Sequence, residues 1–227
     1  MKIVISMSGS LLTNELTLQN FQNYSDIIKS LWKKGHKIIV TVGGGSVCRQ
    51  YQRVAKEAGA DDDKLDFIGI MSTHLNASTF AYAIGDDAYL VKWKPLKQAM
   101  EEVEEHFGKK IIVAGGYDIG TSSDYDAAMF AQLANADIVI NATNIDGVYS
   151  DDPRKNPDAK KYGKIGYKEF IEIIKKNAQK PGEYRLFDLK GAELLKKIGT
   201  KLVIVDGRDR QEIINAVEGK HNGTVIS

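Results

Sequence analysis

The sequence has almost no cysteine and no long apolar run, and both absences limit what the protein can be. Among its 227 residues Cys48 is the only cysteine, so no internal disulfide can form. A single cysteine is typical of proteins from reducing compartments. No apolar stretch approaches the roughly 20 residues that a membrane-spanning helix needs, and residues 1–5 predict a strand rather than a signal peptide. We therefore expect a cytoplasmic protein with no membrane partner, in which Cys48 is a packing residue.

Neither sign of charge is in excess. The chain has 31 basic and 30 acidic residues, which gives a formal net charge of +1. A dedicated nucleic-acid-binding protein normally carries a basic surplus, so we expect no nucleic-acid partner. The hydrophobic content of 43% supports a buried core, and the length suits one domain or two lobes that share a sheet.

Several common site patterns are missing as well. No Gly-x-Gly-x-x-Gly turn indicates a dinucleotide site, no Walker lysine motif indicates a P-loop, and no Ser-His-Asp elbow is present. The four histidines are scattered without metal-ligand spacing, and we expect each at the surface or a helix end: His36, His74, His106 and His221. These absences argue against hydride transfer, P-loop chemistry and a histidine-based metal site.

Apolar strands alternate with helical patterns along the whole chain. Strands are predicted at 2–7, 37–42, 88–91, 111–114, 138–142, 201–205 and 223–226. Helices are predicted at 18–34, 46–58, 63–84, 96–107, 123–134, 167–176, 188–198 and 210–218. This alternation predicts an α/β fold with a mostly parallel sheet and helices on both faces. The polar segment 151–164 is expected to be a surface excursion with a hairpin as one possible form, and a boundary between lobes is expected near 120–137.

Glycine-rich or polar segments follow four of the predicted strands. They are Ser-Gly-Ser at 8–10, Gly-Gly-Gly at 43–45, Gly-Gly at 115–116 and the polar turn at 143–153. Ligands of open α/β sheets bind beyond the carboxyl ends of the strands. Glycine backbone can approach an anion closely, and a following helix adds its positive end. We therefore expect these segments along one edge of one sheet, where bends on either side of a gap would cradle phosphates.

Side chains near these segments are candidates for direct contact with a ligand. Arg49 lies one helical turn after 43–45, where it could hold a phosphate bidentately or simply be a surface arginine. The segment 120–124 could hold a phosphate or sugar, although Ser and Asp are also preferred helix caps. Asp66 could accept hydrogen bonds from ribose hydroxyls or be an ordinary capping or surface acid. Such a site suits phosphoryl transfer with bound magnesium, which demands positioning and charge neutralisation more than covalent help.

Four blocks of the sequence resemble the amino acid kinase family, and within it the uridylate kinase branch of archaeal type. They are residues 5–10, residues 42–45 with Arg49, residues 115–124, and residues 143–153. The last block, which begins Thr-Asn-Ile-Asp-Gly-Val-Tyr, is the most specific, and the resemblance extends nearly end to end. It implies a three-layer αβα sandwich, magnesium-dependent phosphoryl transfer from ATP to UMP, and a homohexamer.

The resemblance also implies roles for individual positions. An acceptor lobe would cover 1–125 and an ATP lobe 126–227 of a single kinase domain. UMP would be bound by Gly44, Asp66, Tyr117, Asp118, Ile119, Gly120, Thr121, Ser122 and Ser123. ATP would be bound by Gly9, Ser10, Gly45, Arg49, Thr143, Asn144, Tyr149 and Asp152. Catalysis would depend on Asp146, Asp188 and Arg49, and Mg²⁺ would be bound through the ATP phosphates rather than by protein ligands.

The chain departs from the family pattern at a few positions. Many members have a lysine where this chain has Ser6, so Arg49 and a lysine of 155–164 are candidates for the replacement cation. The usual Pro-Gly-x-Thr-Thr-Asp of the acceptor side is Ile-Gly-Thr-Ser-Ser-Asp here, Asp126 replaces an apolar residue, and His74 stands where archaeal relatives often have arginine. Two alternatives stay open: a family enzyme with another small acceptor, and a non-catalytic nucleotide-binding or storage protein on the same fold.

Overall fold

The computed structural model describes residues 1–176 and 186–227, and a large mixed sheet forms its centre. The strands are β1 (Lys2–Met7), β2 (Lys37–Val42), β3 (Ala88–Val91), β4 (Ile111–Ala114), β5 (Ile138–Thr143), β6 (Val148–Tyr149), β7 (Lys161–Tyr162), β8 (Lys164–Ile165), β9 (Lys201–Asp206) and β10 (Thr224–Ile226). Eight of them form one sheet in the order β3-β4-β2-β1-β5-β9-β10-β8, parallel except where β10 pairs with β9. The remaining two, β6 and β7, pair antiparallel as a separate ribbon.

Helices connect the strands and cover the sheet. They are α1 (Gly9–Thr13), α2 (Leu18–Lys33), α3 (Gly45–Glu57), α4 (Asp62–Ile84), α5 (Leu96–His106), α6 (Ser123–Ala134), α7 (Tyr167–Lys176), α8 (Leu189–Ile198) and α9 (Gln211–Glu218). Local sequence sets several of their ends. Asp61 accepts a hydrogen bond from the Lys64 amide at 3.0 Å to begin α4, and Gly199, with φ of 70°, ends α8. None of the helices in the described ranges is both long enough and apolar enough to cross a membrane.

Alternate side chains of the central strands build two separate cores. On β1, Ile3 and Ile5 belong to one cluster, and Val4 between them belongs to the other. The Ile3 side is covered by α1, α2, α4 and α9, with Phe80 fully buried, and the Val4 side by α5, α6, α7 and α8, with Phe130 fully buried. Helices on both faces of a mostly parallel sheet form a three-layer αβα sandwich, so the predicted fold class is confirmed.

Most local differences from the predicted elements lie at the bends. Residues 8–10, expected as a simple turn, begin the short helix α1. Helix α3 begins at Gly45 with Gly44 as its N-cap, one residue before the predicted start at residue 46. The Ser46 hydroxyl donates to the Thr13 carbonyl oxygen at 2.9 Å, because α1 lies beside the start of α3. The β6–β7 ribbon shows that the polar excursion is a hairpin.

Candidate active site

The first two glycine bends are in contact at the carboxyl ends of β1 and β2. Parallel pairing of these strands makes the first bend (residues 8–10) and the second bend (residues 43–45) leave the sheet side by side. A Cβ on Gly9 would lie 2.1 Å from the Gly43 carbonyl oxygen and 2.4 Å from the Gly45 nitrogen. Only glycine permits this approach. The sequence suggested bends on either side of a gap, but these two touch, so a phosphate bound by both would lie over them.

Side chains from neighbouring helices hold the second bend in place. Asn76 of α4 donates through Nδ2 to the carbonyl oxygens of Gly43, at 2.9 Å, and Gly44, at 3.0 Å. The Ser46 amide donates to Thr13 Oγ1 at 2.9 Å. The two bonds from Asn76 satisfy carbonyl oxygens that would otherwise repel an anion, and all three bonds fix the backbone before any ligand arrives.

Arg49 reaches the first bend from the second turn of α3. Both terminal nitrogens of its guanidinium lie 3.5 Å from Ser10 Oγ, and the side chain is exposed. A contact of this length is weak, so the guanidinium can exchange it for a charge-assisted bond to a phosphate. The structure thus brings together Gly9, Ser10, Gly45 and Arg49, which the sequence assigned to the same phosphates.

The segment between β4 and α6 is fastened to α4. The Gly116 amide donates to Thr73 Oγ1 at 2.7 Å, and the Gly116 carbonyl oxygen lies 2.8 Å from His74 Nε2. The Gly120 amide donates to Asp66 Oδ2 at 2.8 Å. Asp66, predicted to accept from a ribose, therefore holds the loop backbone with one of its oxygens. Burial lowers the pKa of His74 and favours its neutral ring.

Within this third bend (residues 115–123), one side chain points into the core. Tyr117 is 6% exposed, donates its hydroxyl to the Val91 carbonyl oxygen at 3.3 Å, and packs edge-on against His74 and Phe130. Any contribution of Tyr117 to ligand binding would therefore come from its backbone. The residues that follow it are solvent-exposed and free to meet a ligand: Asp118, Ile119 and Gly120.

Hydroxyl and carboxyl groups join the third bend to its neighbours. Ser6 Oγ, at the end of β1, donates to Asp124 Oδ1 at 2.7 Å. Ser122 Oγ donates to Asp188 Oδ2 at 3.0 Å, while Asp188 Oδ1 accepts from the Gly191 amide at 2.9 Å. Asp188, predicted to serve catalysis, is thus the N-cap of α8 as well, which holds its carboxylate rigidly beside the bend.

The hairpin β6–β7 carries a charged triad near the end of β5. Lys161 Nζ lies 2.8 Å from Asp146 Oδ2, and the Tyr149 hydroxyl donates to the same carboxylate at 3.0 and 3.1 Å. Partial burial raises the pKa of Asp146, but the hydrogen bonds from Lys161 and Tyr149 outweigh it and hold that pKa below its usual value. Asp146 is therefore a carboxylate at neutral pH, and Lys161 is a cation of the 155–164 segment that lies against it.

Further along the hairpin, Asp152 is occupied by a neighbouring arginine. It is 4% exposed, and Arg154 binds it with Nε on Oδ1 and Nη2 on Oδ2, both at 2.9 Å. Two other members of the predicted ATP set lie at the end of β5, with Thr143 as its last residue and Asn144 directly after it. Asp152 therefore stabilises the hairpin turn, and its side chain could meet a nucleotide only after releasing Arg154.

The sequence and the three-layer sandwich are similar to those of known proteins. The family model described as the amino acid kinase family matches residues 1–206. The chain belongs to the amino acid kinase family. The uridylate kinase of Methanobrevibacter smithii is 39% identical over 226 residues, with 100% of this chain and 99% of that protein covered. The crystal structure of the Archaeoglobus fulgidus uridylate kinase is 34% identical and matches with a TM-score of 0.86 over 100% of both chains.

A solved structure of much lower identity shares the fold. The aspartate kinase of Synechocystis matches with a TM-score of 0.73 at 17% identity, over 100% of this chain and 39% of that one. The family model and the full-length relatives confirm the family resemblance inferred from the four sequence blocks.

Two features near the site were not foreseen from the sequence. Asp124 was included in the segment 120–124, as a ligand contact or a helix cap, but its contact with Ser6 at the end of β1 was not predicted. Strand β9 ends at Asp206, which pairs in register with Thr143. In the loop that follows, Arg208 binds the Asp206 carboxylate with Nη2 on Oδ2 at 2.6 Å. Acids in a first helical turn are common, so nothing local distinguished Asp124. The β9 loop could have been found, because it ends a parallel strand at the same edge.

Proposed function

We propose that this protein is a UMP kinase, which transfers the γ-phosphoryl group of ATP to UMP and releases ADP and UDP. The observation that carries the proposal is the meeting of three bends at one sheet edge. Gly9 contacts the second bend, and Ser123 Oγ lies 3.4 Å from the position that a Cβ on Gly43 would occupy. Full-length relatives named uridylate kinases, 39% and 34% identical, support UMP as the acceptor.

On the donor side, we assign the ATP phosphates to the stacked first and second bends. Backbone of the bends and the Arg49 guanidinium can contact phosphate oxygens, and the hairpin lies beyond them along the sheet edge. The set assigned to ATP is Gly9, Ser10, Gly45, Arg49, Thr143, Asn144, Tyr149 and Asp152. Magnesium would supply charge neutralisation on the triphosphate, which fits a site whose nearby carboxylates would repel a bare triphosphate. Across residues 1–176 and 186–227, no group of three or more His, Cys, Asp or Glu side chains could hold a metal ion by itself.

On the acceptor side, we assign UMP to the third bend and the start of α3. The bend is fixed by hydrogen bonds that its Gly120 and Gly116 amides donate to Asp66 and Thr73. Its exposed backbone and side chains therefore have a fixed shape before UMP binds. The set assigned to UMP is Gly44, Asp66, Tyr117, Asp118, Ile119, Gly120, Thr121, Ser122 and Ser123. Of these, Tyr117 would act through its backbone.

Phosphoryl transfer needs two phosphate groups placed in line and their charge neutralised, with little covalent help. We assign the positioning to Asp146 and Asp188 and the neutralisation to Arg49. Ser6 donates to Asp124 at 2.7 Å and brings no charge, so a cation must come from elsewhere. Lys161 is our candidate to complement Arg49, because its contact with Asp146 is partly exposed and can be exchanged for a phosphate.

The direct test is turnover with purified protein, ATP, MgCl₂ and a panel of nucleoside monophosphates. We expect ADP release that depends on UMP, with UMP preferred over CMP, AMP and GMP, and loss of activity when EDTA is added. Turnover with a different small phosphate, carboxylate or carbamate would replace UMP by another acceptor. Tight ATP binding with no transfer to any acceptor would favour the binding or storage protein and contradict the proposal.

Oligomerisation, lobes and location are further parts of the proposal. Large apolar side chains are exposed on the adjacent helices α3 and α4, among them Tyr51, Val54, Leu75 and Tyr82. Such a surface favours assembly of identical chains, and we propose a homohexamer, with an acceptor lobe at 1–125 and an ATP lobe at 126–227. Light scattering after size exclusion tests this, and a monomer at every concentration would contradict it. The single cysteine supports a cytoplasmic location.

A further inference from the structure

A carboxyl group is buried beneath the third bend with an oxygen that no donor reaches. Asp126, in the first turn of α6, is 2% exposed. Its Oδ2 has no hydrogen-bond partner in the part of the chain that the structure describes. That oxygen lies 3.4 Å from the position a Cβ on Gly116 would occupy, so it faces the backbone where the bend leaves β4. An unpartnered buried oxygen costs far more free energy in an ionised carboxylate than in a neutral acid.

The charged groups around Asp126 also oppose its ionisation. Burial is the main cause that raises its pKa, to about 8, and three other carboxylates add to it. They come from three places: Asp118 on the bend, Asp188 at the start of α8 and Asp124 on the same helix. A backbone hydrogen bond from Tyr117 opposes this increase only in part. The arrangement therefore holds Asp126 in its neutral form near pH 7.

None of the other packed elements in the described ranges supplies a compensating positive charge. From α4, His74 contacts Gly116, and burial lowers its pKa, so its ring is neutral. From α5, Glu102 is paired with Lys94. The strand ends contribute neutral hydroxyls, with Thr41 Oγ1 donating to the Ser123 carbonyl oxygen at 3.3 Å. Among residues 1–176 and 186–227, deprotonation of Asp126 would thus leave a buried negative charge directly under the bend with no cation against it.

We propose that Asp126 is a positioning residue whose protonated form is required for acceptor binding. The inference rests on the proposed function, because it takes the third bend to receive a nucleoside monophosphate. Such a phosphomonoester carries a charge of about −1.5 to −2 at neutral pH. An ionised Asp126 would place a second negative charge beneath the bend. In this poorly solvated site the charge would repel the phosphomonoester strongly and would also displace the adjacent Gly116 backbone. ATP, on the other bends, is unaffected.

The experiment compares the wild-type protein with Asp126→Asn, an uncharged mimic of the protonated acid. The KM for UMP, the KM for ATP and kcat are measured from pH 6.5 to 9. If the ionised form does not bind UMP, a pKa of about 8 predicts a roughly tenfold rise in the KM for UMP between pH 7 and pH 9 in the wild type. The KM for UMP should change far less in the variant. Because both proteins see the same titrating substrates, their ratio isolates Asp126.

A matched control is Glu104→Gln, which neutralises an exposed acid on α5. It should keep the wild-type profile. Calorimetric titration with UMP alone at pH 8.5, in two buffers of different ionisation enthalpy, should show proton uptake in the wild type and none in Asp126→Asn. This measurement needs no turnover, so it judges the inference separately from the kinase assignment.

Thermal unfolding without nucleotide tests the buried acid itself. A raised pKa means that the wild type loses stability, relative to Asp126→Asn, as pH rises from about 4 to about 8. The Tm of Asp126→Asn minus the Tm of the wild type should therefore increase over that range. If the difference widens but UMP binding has the same pH dependence in both proteins, the inference is wrong and the kinase assignment is untouched. If UMP binding tightens at high pH in the wild type alone, the pH dependence of binding is opposite to the one proposed and the inference fails.

Discussion

The third bend and the β6–β7 hairpin bring functional side chains to the same sheet edge, but they are held there by different forces. The bend is fixed by buried hydrogen bonds to α4, such as that from the Gly116 amide to Thr73 Oγ1 at 2.7 Å. The hairpin is anchored by Thr224 Oγ1, which accepts from the Val148 amide at 2.8 Å and donates to the Tyr162 carbonyl oxygen, and it also has charged contacts such as Lys161 with Asp146 at 2.8 Å.

The difference matters because the two kinds of contact respond differently to a ligand. Buried hydrogen bonds are costly to break and insensitive to salt, so they hold a preformed shape. Exposed ion pairs contribute little and exchange readily with other charges. If the third bend receives the acceptor and the hairpin receives the triphosphate, as we propose, the acceptor side has a preformed shape and Lys161 on the donor side can transfer from Asp146 to the triphosphate. Mutations should separate the two sides.

The largest effect should come from Gly9, which lies where the first and second bends touch. This position is outside the two regions just compared, the third bend and the hairpin. In Gly9→Ala, the added methyl would meet the Gly43 carbonyl oxygen at 2.1 Å and force the bends apart. We expect a loss of about 3 kcal/mol in unfolding free energy and no measurable turnover. Gly166→Ala is the control, because nothing lies within 4 Å of the added atom. Retained activity in Gly9→Ala would show that the contact is not required.

The next effect should come from Asp146, on the donor side. Asp146→Asn keeps the shape of the side chain but removes the charge that organises Lys161 and Tyr149. We expect kcat to fall by about 10²–10³-fold, the range for loss of one positioned polar group, with an unchanged KM for UMP and only the small loss of stability that a partly exposed ion pair contributes. Asp158→Asn, exposed on the same hairpin, should behave as wild type. Near-normal kcat in Asp146→Asn would remove it from the catalytic centre.

Arg49 should affect ATP more than UMP. Arg49→Ala removes a charge-assisted contact worth about 1.5–3 kcal/mol, which corresponds to a KM for ATP raised about 10- to 100-fold. Arg53→Ala, one turn later on the same exposed helix surface, provides the control. An equal rise in the KM for UMP would mean that Arg49 lies between the two substrates.

Asp66, in contrast to Arg49, should affect the binding of UMP more than the binding of ATP. In Asp66→Ala the Gly120 amide loses its acceptor, and the bend loses one of its ties to α4. We expect a rise of about tenfold in the KM for UMP, from one lost hydrogen bond to a charged group, with the KM for ATP unchanged. Asp63→Ala, exposed on the first turn of α4, is the matched control. If both KM values rise together, the bend is not specific to the acceptor.

The smallest effect should be on hairpin stability. Lys161→Met breaks an ion pair whose members are both partly exposed, so we expect a loss of less than about 1 kcal/mol at pH 7. Because the pKa of Asp146 is lowered in the folded protein, this contribution is present above about pH 4 and disappears as pH falls further. Unfolding at pH 7 and pH 3 measures it. A difference that persists at pH 3 would point to packing of the lysine stem.

Much of the fold could be predicted because its signals are local. The alternation of β-branched strands with capped helices indicated a mostly parallel sheet, and β1 to β5 were predicted within one residue of their observed ends. Parallel strands in turn place the segments that follow them at one edge. That rule was enough to predict the location of the candidate site, whereas the assignment of Gly9 and Arg49 to ATP came from the family resemblance and stays a prediction.

Other features could not be predicted, because they depend on contacts between distant segments. Nothing in the residues around Tyr117 indicates that its ring fills a core between α4 and α6. The hydrogen bond that the Gly120 amide donates to Asp66 joins positions 54 residues apart.

Local sequence was enough for most of the secondary structure, for the sheet edge at which the candidate site lies and for the family, because propensity, periodicity and motif act over a few residues. Only the tertiary structure decided that the first two bends touch, that Lys161 lies against Asp146, and that Asp126 is buried among acids. Those outcomes depend on how helices settle on the sheet and which atoms lose water there, and no short stretch of sequence contains that information.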